Sequence, residues 1–362
     1  MRASSRRFPW RRSVAPPPPG SGSGAALLEV EDLETVFRTS EGVLKALKGI
    51  SYTVREGEVL GIVGESGSGK SVSALSVLGL LPKRVGHVVG GSIRFRGEEL
   101  VGRGERRIRR LRGREIAMVF QESALNPSYT VGYQLVEMLR LHEDISKDDA
   151  KQRAIEQLAL VGIADPTRRF DEYPHQLSGG MRQRVVIAIA LACTPSLLFA
   201  DEPTTALDVT IQAQILQLLR DLSDRSGMAL VLITHDLGVV AESVDRVLVM
   251  YAGRVMEEAK VDDIFRRPLH PYTEGLLASS PALEDAPKSR MRAIPGGLPN
   301  PYEDTPGCPF APRCAYVEDR CRTEVPPLVD VGGGRRVACL RHEELTLVGD
   351  AALRASEGGT HG

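Results

Sequence analysis

The feature that most constrains this fold is a glycine-rich segment with the pattern G-x-x-x-x-G-K-S. The apolar run Val59–Val63 precedes it and predicts a buried parallel strand. Apolar residues about one turn apart over 71–81 follow it and predict a helix. A strand before and a helix after are the context in which this pattern forms a phosphate-binding loop. The loop residues are Gly64, Glu65, Ser66, Gly67, Ser68, Gly69, Lys70 and Ser71.

The chemistry of this loop follows from its glycines and from its position before a helix. Glycines let the backbone curl so that N–H groups point at phosphate oxygens, and the positive end of the helix dipole adds to their attraction. We expect Lys70 to reach the β- and γ-phosphates and the Ser71 hydroxyl to hold Mg²⁺. The flanking strand and helix disfavour the alternative, a glycine-rich turn that binds nothing.

Composition excludes several other functions. A chain of 362 residues, of which 42% are apolar, can form two or three domains with full cores. Its formal net charge of −1 gives no overall attraction to nucleic acid, and its single Trp argues against stacking platforms for single strands. No apolar run is long enough to predict a membrane span, so any membrane role requires a partner.

The chain divides into regions of different character. Residues 1–24 are rich in Arg, Pro and Gly and predict a disordered extension, and residues 346–362 predict a disordered tail. Residues 25–265 predict the phosphate-binding α/β domain, which begins with antiparallel strands and carries an inserted helical subdomain at about 122–176. Residues 266–345 form a C-terminal region that contains most of the cysteines.

Polar side chains end or follow three further apolar segments that predict buried strands. They are Gln121, the pair Asp201 and Glu202, and His235. Ligands of such sheets bind outside the carboxyl ends of the strands, so we expect these groups to face one ligand. Asp201 can hold Mg²⁺ through water, and Glu202 can polarise an attacking water. Alone, Gln121 is a weak signal because a Gln can simply cap a strand, and a lone His is more often structural.

Two other segments could contact a nucleotide. Ser178, followed by Gly179 and Gly180, presents a hydroxyl and bare N–H groups at a helix start, which predicts a second anion site. Such a site must either fold onto the first loop or bind a phosphate on a second subunit. The alternative to an anion site is that Ser178 only caps the helix. Phe37 lies upstream of the loop, and its spacing fits adenine stacking and an ordinary strand position equally well.

Four of the five cysteines fall in the C-terminal region, at Cys308, Cys314, Cys321 and Cys339. Their spacing lacks the close C-x2-C pairs of common zinc sites. Spacing alone therefore leaves an iron–sulfur cluster, zinc and free thiols open. Cys193 lies in an apolar segment and is expected to be a core residue.

In this order, the motifs of residues 27–265 resemble the nucleotide-binding subunits of ATP-binding cassette (ABC) transporters. The resemblance implies an α/β P-loop NTPase fold of the ABC type, with an antiparallel β subdomain, an inserted helical subdomain and ATP hydrolysis with Mg²⁺. The implied site residues are Phe37 for adenine stacking, Gly64 to Ser71 as the Walker A loop, Gln121 as the Q-loop and Mg²⁺ contact, Ser178, Gly179, Gly180 and Met181 as the signature motif, Asp201 and Glu202 as Walker B and the general base, Asp208 as the D-loop, and His235 as the switch histidine. Met181 replaces the usual Gln, but the implied phosphate contacts come from the three residues before it.

The resemblance also implies an assembly. Each ATP site takes Lys70 and Glu202 from one subunit and Ser178 from the other, so ATP joins two ATPase subunits and hydrolysis lets them part. The implied partners are a second ATPase subunit, which is the same or a different chain, two transmembrane permeases and an extracytoplasmic substrate-binding protein. The expected location is peripheral, on the cytoplasmic side of the cell membrane, with no nucleic acid bound.

The segment Arg267–Thr273 resembles the importer ATPases for dipeptides, oligopeptides and nickel. This resemblance implies peptide import, and it implies a [4Fe–4S] cluster on Cys308, Cys314, Cys321 and Cys339, since a cytosolic ATPase disfavours disulfides. The alternatives are a nickel or other small-solute importer ATPase of the same family and a soluble cassette ATPase acting on DNA or ribosomes. The soluble class usually has coiled-coil inserts or two cassettes, which this sequence lacks. The intact motif residues argue against a non-enzymatic metal scaffold.

Overall fold

The computed structural model describes residues 26–121, 125–205, 207–279 and 294–349. The predicted extension 1–24 and most of the predicted tail lie outside these residues. The strands are β1 (Ala26–Thr39), β2 (Gly42–Arg55), β3 (Val59–Val63), β4 (Gly86–Phe95), β5 (Glu98–Glu99), β6 (Ile116–Val119), β7 (Leu197–Asp201), β8 (Ala229–Thr234), β9 (Arg246–Tyr251), β10 (Arg254–Lys260), β11 (Val329–Asp330) and β12 (Arg336–Val337). The helices are α1 (Lys70–Val77), α2 (Glu105–Leu111), α3 (Val131–His142), α4 (Lys147–Leu160), α5 (Pro166–Phe170), α6 (Gly179–Leu191), α7 (Val209–Ser226), α8 (Leu237–Ala241), α9 (Val261–Arg266), α10 (Pro271–Ser279) and α11 (Asp319–Thr323).

The larger sheet has eight strands in the order β11-β12-β10-β9-β3-β8-β7-β6. Its five strands from β9 to β6 are parallel neighbours, and β10, β12 and β11 extend it in antiparallel fashion. Every residue of β3, β7, β8 and β9 is buried, as expected for parallel strands that are covered on both faces. The predicted α/β core is confirmed, and the carboxyl ends of its strands carry the predicted polar groups.

The smaller sheet is antiparallel, with the order β2-β1-β4-β5, and lies against α1. Two hydrogen bonds connect them: the Thr35 and Ser76 hydroxyls are 3.0 Å apart, and the Tyr52 and Ser73 hydroxyls are 2.8 Å apart. This packing places the β1–β2 hairpin over the helix that follows the phosphate-binding loop.

Helix α1 ends at Val77, whereas the apolar spacing predicted that it would continue to Leu81. Gly79 adopts a φ of +60°, and its N–H donates to the Ser76 carbonyl at 3.1 Å. The Leu80 N–H donates to the Leu75 carbonyl at 2.8 Å, which closes the last turn. The prediction was wrong because apolar periodicity does not register the left-handed glycine that ends the helix.

The helical insertion consists of α3, α4 and α5 between β6 and β7. Ser146 caps α4 by accepting a hydrogen bond from the Asp149 N–H at 3.1 Å. The helix ends before Gly162, which has a φ of +76°. The insertion is therefore ordered by local caps at both ends of its longest helix.

The C-terminal region packs directly on the larger sheet. Strand β12 pairs with β10, where Val337 lies opposite Glu257. The buried Glu257 carboxylate accepts hydrogen bonds from the backbone N–H groups of Leu269 at 2.8 Å and His270 at 3.0 Å.

None of the helices in the described part of the chain combines the length and apolar character that crossing a bilayer requires.

Candidate functional site

The phosphate-binding loop closes around its own lysine. Lys70 Nζ donates hydrogen bonds to the carbonyls of Gly64 at 2.7 Å and Glu65 at 3.0 Å. Burial lowers the pKa of Lys70, although the nearby carboxylates of Glu202 and Asp201 oppose this shift. The ammonium group is thus held at the mouth of the loop by neutral carbonyl groups, which a phosphate oxygen can replace with a stronger partner.

Two glycines of the loop have no room for a side chain. Gly64 has a φ of +150°, and a Cβ built there would lie 2.1 Å from the Met250 carbonyl oxygen. Gly69 has a φ of +103°, and its Cβ would lie 2.9 Å from the Ala46 carbonyl oxygen. The loop therefore depends on glycine both for its backbone conformation and for its close approach to the strands around it.

Asp201 and Ser71 are brought together, as expected for a Mg²⁺ site. Burial raises the pKa of Asp201, and a hydrogen bond from the Ser71 hydroxyl partly offsets that shift. The Oδ1 atom of Asp201 is buried and has no hydrogen-bond partner among the described residues. A buried carboxylate oxygen without a partner is unfavourable, so a hard cation at this position would satisfy it. The two residues fit Mg²⁺ by the chemistry of their donors.

The Glu202 carboxylate is the centre of a second group of side chains. Its Oε2 atom accepts hydrogen bonds from Gln121 Nε2 and from Thr205 Oγ1, both at 3.0 Å. Its Oε1 atom lies 2.9 Å from Nδ1 of His235. Glu202 has a φ of +44°, and its backbone N–H is fixed on the Ile233 carbonyl at 2.9 Å. The structure thus joins three predicted residues, Gln121, Glu202 and His235, at one carboxylate. The predicted contact of Gln121 with Mg²⁺ stays a prediction.

Glu202 is held in its ionised form. Burial alone would raise the pKa of Glu202, but hydrogen bonds from His235 and Thr205 outweigh it and bring the pKa below its usual value. The carboxylate is 14% exposed, so water can still reach it. A fixed anionic carboxylate beside a phosphate-binding loop can accept a proton from water.

The signature segment lies apart from the phosphate-binding loop. Ser178 caps α6, and its Oγ accepts a hydrogen bond from the Met181 N–H at 3.3 Å. A Cβ on Gly180 would lie 2.9 Å from Ile211, and Asp208 caps α7 by accepting from the Ile211 N–H at 3.0 Å. Within the described residues, no hydrogen bond joins this segment to the loop.

Phe37 lies on β1, opposite Leu44 and Gly86. A Cβ on Gly86 would lie 3.1 Å from Cε1 of Phe37 and equally close to Leu81, beyond the C-terminal end of α1. The ring is half-buried. Its role in adenine stacking remains a prediction.

Sequence reasoning missed three residues that contact the site. Thr205 lies three positions after Glu202, in a turn whose polar composition gave no specific signal. The Tyr272 hydroxyl accepts a hydrogen bond from the Glu65 N–H at 2.9 Å, and Arg313 donates to the Glu65 carboxylate. Tyr272 lies in the His-Pro-Tyr segment and Arg313 in the cysteine-rich region, where the sequence carries no signal for a contact with the loop.

The four clustered cysteines line one pocket, together with His270. The Cys308 N–H donates to the Cys321 carbonyl at 2.8 Å, which holds two of the cysteine segments together. Burial raises the pKa of Cys308 and of Cys339 to about 11. In the part of the chain that the structure describes, no three His, Cys, Asp or Glu side chains are arranged to hold one metal ion. Cys193 does not line this pocket and is buried in the core.

Two family models match the chain. The model described as ABC transporter matches residues 47–205, which include the phosphate-binding loop and Glu202. The model described as the C-terminal region of oligopeptide and dipeptide transporters matches residues 256–321. This second match contains three of the four clustered cysteines, and Cys339 lies beyond its end.

Named relatives cover most of the chain. The probable peptide ABC transporter ATP-binding protein y4tR of Sinorhizobium fredii is 53% identical over 321 residues, which is 88% of this chain and 96% of that protein. The oligopeptide transport ATP-binding protein AppD of Bacillus subtilis is 49% identical over 322 residues, 88% of this chain and 98% of that protein. Among solved structures, the dimeric post-hydrolysis state of the ATP-binding cassette MJ0796, bound to ADP and Pi, is 30% identical and has a TM-score of 0.59. This match covers 65% of the present chain and 98% of the MJ0796 chain.

Proposed function

The chain belongs to the ATP-binding subunits of ABC transporters, and on this premise we propose that the groups around Glu202 hydrolyse ATP to power peptide import. Relatives named as peptide transport proteins and the matching C-terminal region favour peptides over nickel or other small solutes as cargo. The observation that carries the proposed site is the Glu202 carboxylate, which three side chains hold at the carboxyl end of β7.

Each residue of the site has a role that follows from its chemistry. Lys70 exchanges its carbonyl partners for oxygens of the β- and γ-phosphates. Glu202 takes a proton from water as the water oxygen bonds to the γ-phosphorus, and the bond from that phosphorus to the bridging oxygen of ADP breaks. Gln121 and Thr205 hold the carboxylate in place, and the exposed ring of His235 is available to the γ-phosphate.

Ser71 and Asp201 are the proposed Mg²⁺ ligands, and Gln121 is a further candidate. The bound ion would neutralise charge on the phosphate oxygens. The Asp201 Oδ1 atom is buried and has no hydrogen-bond partner among the described residues. This supports the role, because buried polar atoms normally have a partner and a bound Mg²⁺ would be one.

The signature residues Ser178, Gly179, Gly180 and Met181 are proposed to contact the γ-phosphate bound by a second ATPase subunit, with Asp208 nearby. Their position at the start of α6, where N–H groups and the helix dipole favour an anion, supports this role. The similar cassette MJ0796, solved as a dimer bound to ADP and Pi, supports pairing with a second ATPase subunit. Phe37 is the proposed adenine contact.

We propose that Cys308, Cys314, Cys321 and Cys339 hold a [4Fe–4S] cluster. Four thiols around one pocket match the donor set of such a cluster, whose ligands lie farther apart than those of a single ion. The arrangement fits a single zinc ion poorly, because each thiolate sulfur must lie about 2.3 Å from the zinc, and no three such side chains among the described residues are arranged to hold one metal ion. The cluster would crosslink the C-terminal region.

As an ATPase subunit of this class, the chain works with a second ATPase subunit and with membrane permeases. We propose that a substrate-binding protein outside the membrane selects the peptide and that this chain is peripheral, on the cytoplasmic side. Residues 266–345 are proposed to be the part specific to this transporter branch.

The experiment that tests the function compares uptake of a labelled peptide and of nickel in cells that carry either wild-type chain or Glu202→Gln. Loss of peptide uptake with unchanged nickel uptake supports the proposal. Loss of nickel uptake alone would assign the ATPase to the nickel branch, and unchanged uptake of both would overturn transport through this site.

A further inference from the structure

The C-terminal region reaches into the phosphate-binding loop through one ion pair. Arg313 Nη1 donates to Oε2 of Glu65 at 2.6 Å, and Arg313 Nη2 donates to Oε1 at 2.9 Å. This parallel, two-bond geometry is the strongest form of an arginine–carboxylate contact. The Arg313 side chain is 6% exposed, so water screens the pair weakly.

The remaining donors of Arg313 fix the segment that covers the loop. Its Nε atom donates to the Pro295 carbonyl at 3.0 Å, and Nη2 also donates to the Ile294 carbonyl at 3.1 Å. A few residues later, Leu298 lies 3.7 Å from the Cβ position of Gly67 in the loop. The planar guanidinium therefore hydrogen-bonds both to the loop, at Glu65, and to the segment that covers it, at the Ile294 and Pro295 carbonyls.

Tyr272 holds the same loop residue by its backbone. Its hydroxyl accepts the Glu65 N–H at 2.9 Å, and its buried ring packs against Tyr251 and Phe310 at centroid distances of 4.7 and 5.3 Å. Arg313 Nη1 also lies 3.3 Å from the Tyr251 hydroxyl. Both the side chain and the backbone of Glu65 are thus held by residues outside the loop.

We propose that Arg313 is a positioning residue for ATP binding, which acts through Glu65 on the conformation of the phosphate-binding loop. The carbonyls of Gly64 and Glu65 are the groups that hold Lys70, so rotation of the Glu65 peptide would move the lysine that meets the phosphates. Gly64, with a φ of +150°, cannot restrain that rotation by itself. This inference rests on the proposed function, because it assumes that the loop binds ATP.

The test measures ATP dissociation constants and steady-state hydrolysis for Arg313→Gln, Arg313→Lys and the control Arg322→Gln. Arg322 also adjoins a cluster cysteine, but its side chain is exposed and makes no ion pair within the described residues. We expect Arg313→Gln to raise the dissociation constant and the KM for ATP about tenfold, with a smaller change in kcat. Arg313→Lys should recover only part of the affinity because lysine lacks the fork, and Arg322→Gln should match wild type.

A double-mutant cycle tests the route through Glu65. Glu65→Gln and the double variant Glu65→Gln with Arg313→Gln are measured in the same assay. We expect the double variant to bind ATP about as weakly as Arg313→Gln alone, since either substitution by itself already breaks the same contact between Arg313 and Glu65. Effects that multiply, or an Arg313→Gln affinity equal to that of Arg322→Gln, would overturn the proposal.

Tyr272→Phe provides a second variant if Arg313→Gln does not fold, because it removes one hydroxyl and keeps the buried ring. We expect faster hydrogen exchange at the Glu65 amide and weaker ATP binding, while the melting temperature changes little. Unchanged exchange at Glu65 would count against the clamp. Failure of the wild-type chain to bind ATP would instead overturn the proposed function, so the two failures are distinguishable.

Discussion

Nδ1 of His235 lies 2.9 Å from Oε1 of Glu202, while Gln121 and Thr205 occupy the other oxygen of the same carboxylate. A carboxylate only accepts hydrogen bonds, so the Nδ1 atom carries the proton in this contact. Glu202 comes from the end of β7 and His235 from the end of β8, two adjacent parallel strands. The pair therefore fixes the orientation of the proposed base across the edge of the sheet.

Glu202→Gln should bind ATP and fail to hydrolyse it. The amide keeps the size of the side chain but cannot accept the proton from water, so we expect kcat to fall about 10²- to 10⁴-fold. Nucleotide binding and phosphate release by the purified chain measure the two effects separately. Glu242→Gln, at an exposed carboxylate, is the control, and wild-type turnover in Glu202→Gln would rule out Glu202 as the base.

Thr205→Ala should shift the pH dependence of hydrolysis. Thr205 is one of the donors that hold the pKa of Glu202 below its usual value, so its removal raises that pKa. A base works in its deprotonated form, and activity therefore falls as pH drops through its pKa. We expect the acidic limb of the kcat profile to move to higher pH, with little change at alkaline pH. Thr323→Ala is the control, and an unmoved limb would contradict the assignment.

Lys70→Ala should weaken ATP binding. Hydrogen bonds to charged groups contribute about 1.5–3 kcal/mol, which corresponds to an increase of about 10- to 150-fold in the dissociation constant. Titration with ATP and Mg²⁺ measures the change. Lys83→Ala, whose side chain is 78% exposed, should bind ATP normally. Equal affinity in the two variants would show that the loop lysine does not contact the nucleotide.

Gly64→Ala should destabilise the chain and abolish ATP binding. The new Cβ would lie 2.1 Å from the Met250 carbonyl oxygen at a φ of +150°, so the backbone must move. We expect a loss of about 2 kcal/mol or more in the free energy of unfolding. Gly104→Ala is a matched control, because its Cβ meets nothing within 4 Å and its φ is −61°. Denaturant unfolding that fails to separate the two variants would refute the steric argument.

Protein purified without oxygen should contain about four iron and four acid-labile sulfide per chain. We expect Cys308→Ala and Cys314→Ala to lose both, while Cys193→Ala, in the buried core away from the pocket, keeps them. Metal analysis with an absorption spectrum is the measurement. Zinc in place of iron would identify the pocket as a zinc site and contradict the cluster. The absence of both metals would exclude a metal role for these thiols.

Local patterns in the sequence predicted much of this structure. The strand, the glycine-rich loop and the start of the helix lie where the motif placed them, because each depends on neighbouring residues only. The polar residues at the ends of β7 and β8 are equally local features. The end of α1 was missed because a single left-handed glycine outweighed the continuing apolar spacing.

Contacts between distant residues were decided only by the tertiary structure. The sequence placed Gln121, Glu202 and His235 at one sheet edge, but the order of the strands decided that all three meet at one carboxylate. Arg313 and Glu65 are 248 positions apart, and they meet where the C-terminal region folds onto the loop, with Arg313 also 3.3 Å from the hydroxyl of Tyr251 at the end of β9.

The sequence by itself therefore determined which groups we propose for the chemistry, since a phosphate-binding loop and carboxylates at the ends of strands are patterns of short segments. The tertiary structure decided which groups hold them in place. The reason is physical: backbone conformation responds to adjacent residues, whereas the pairing of Arg313 with Glu65 depends on how whole strands and helices pack.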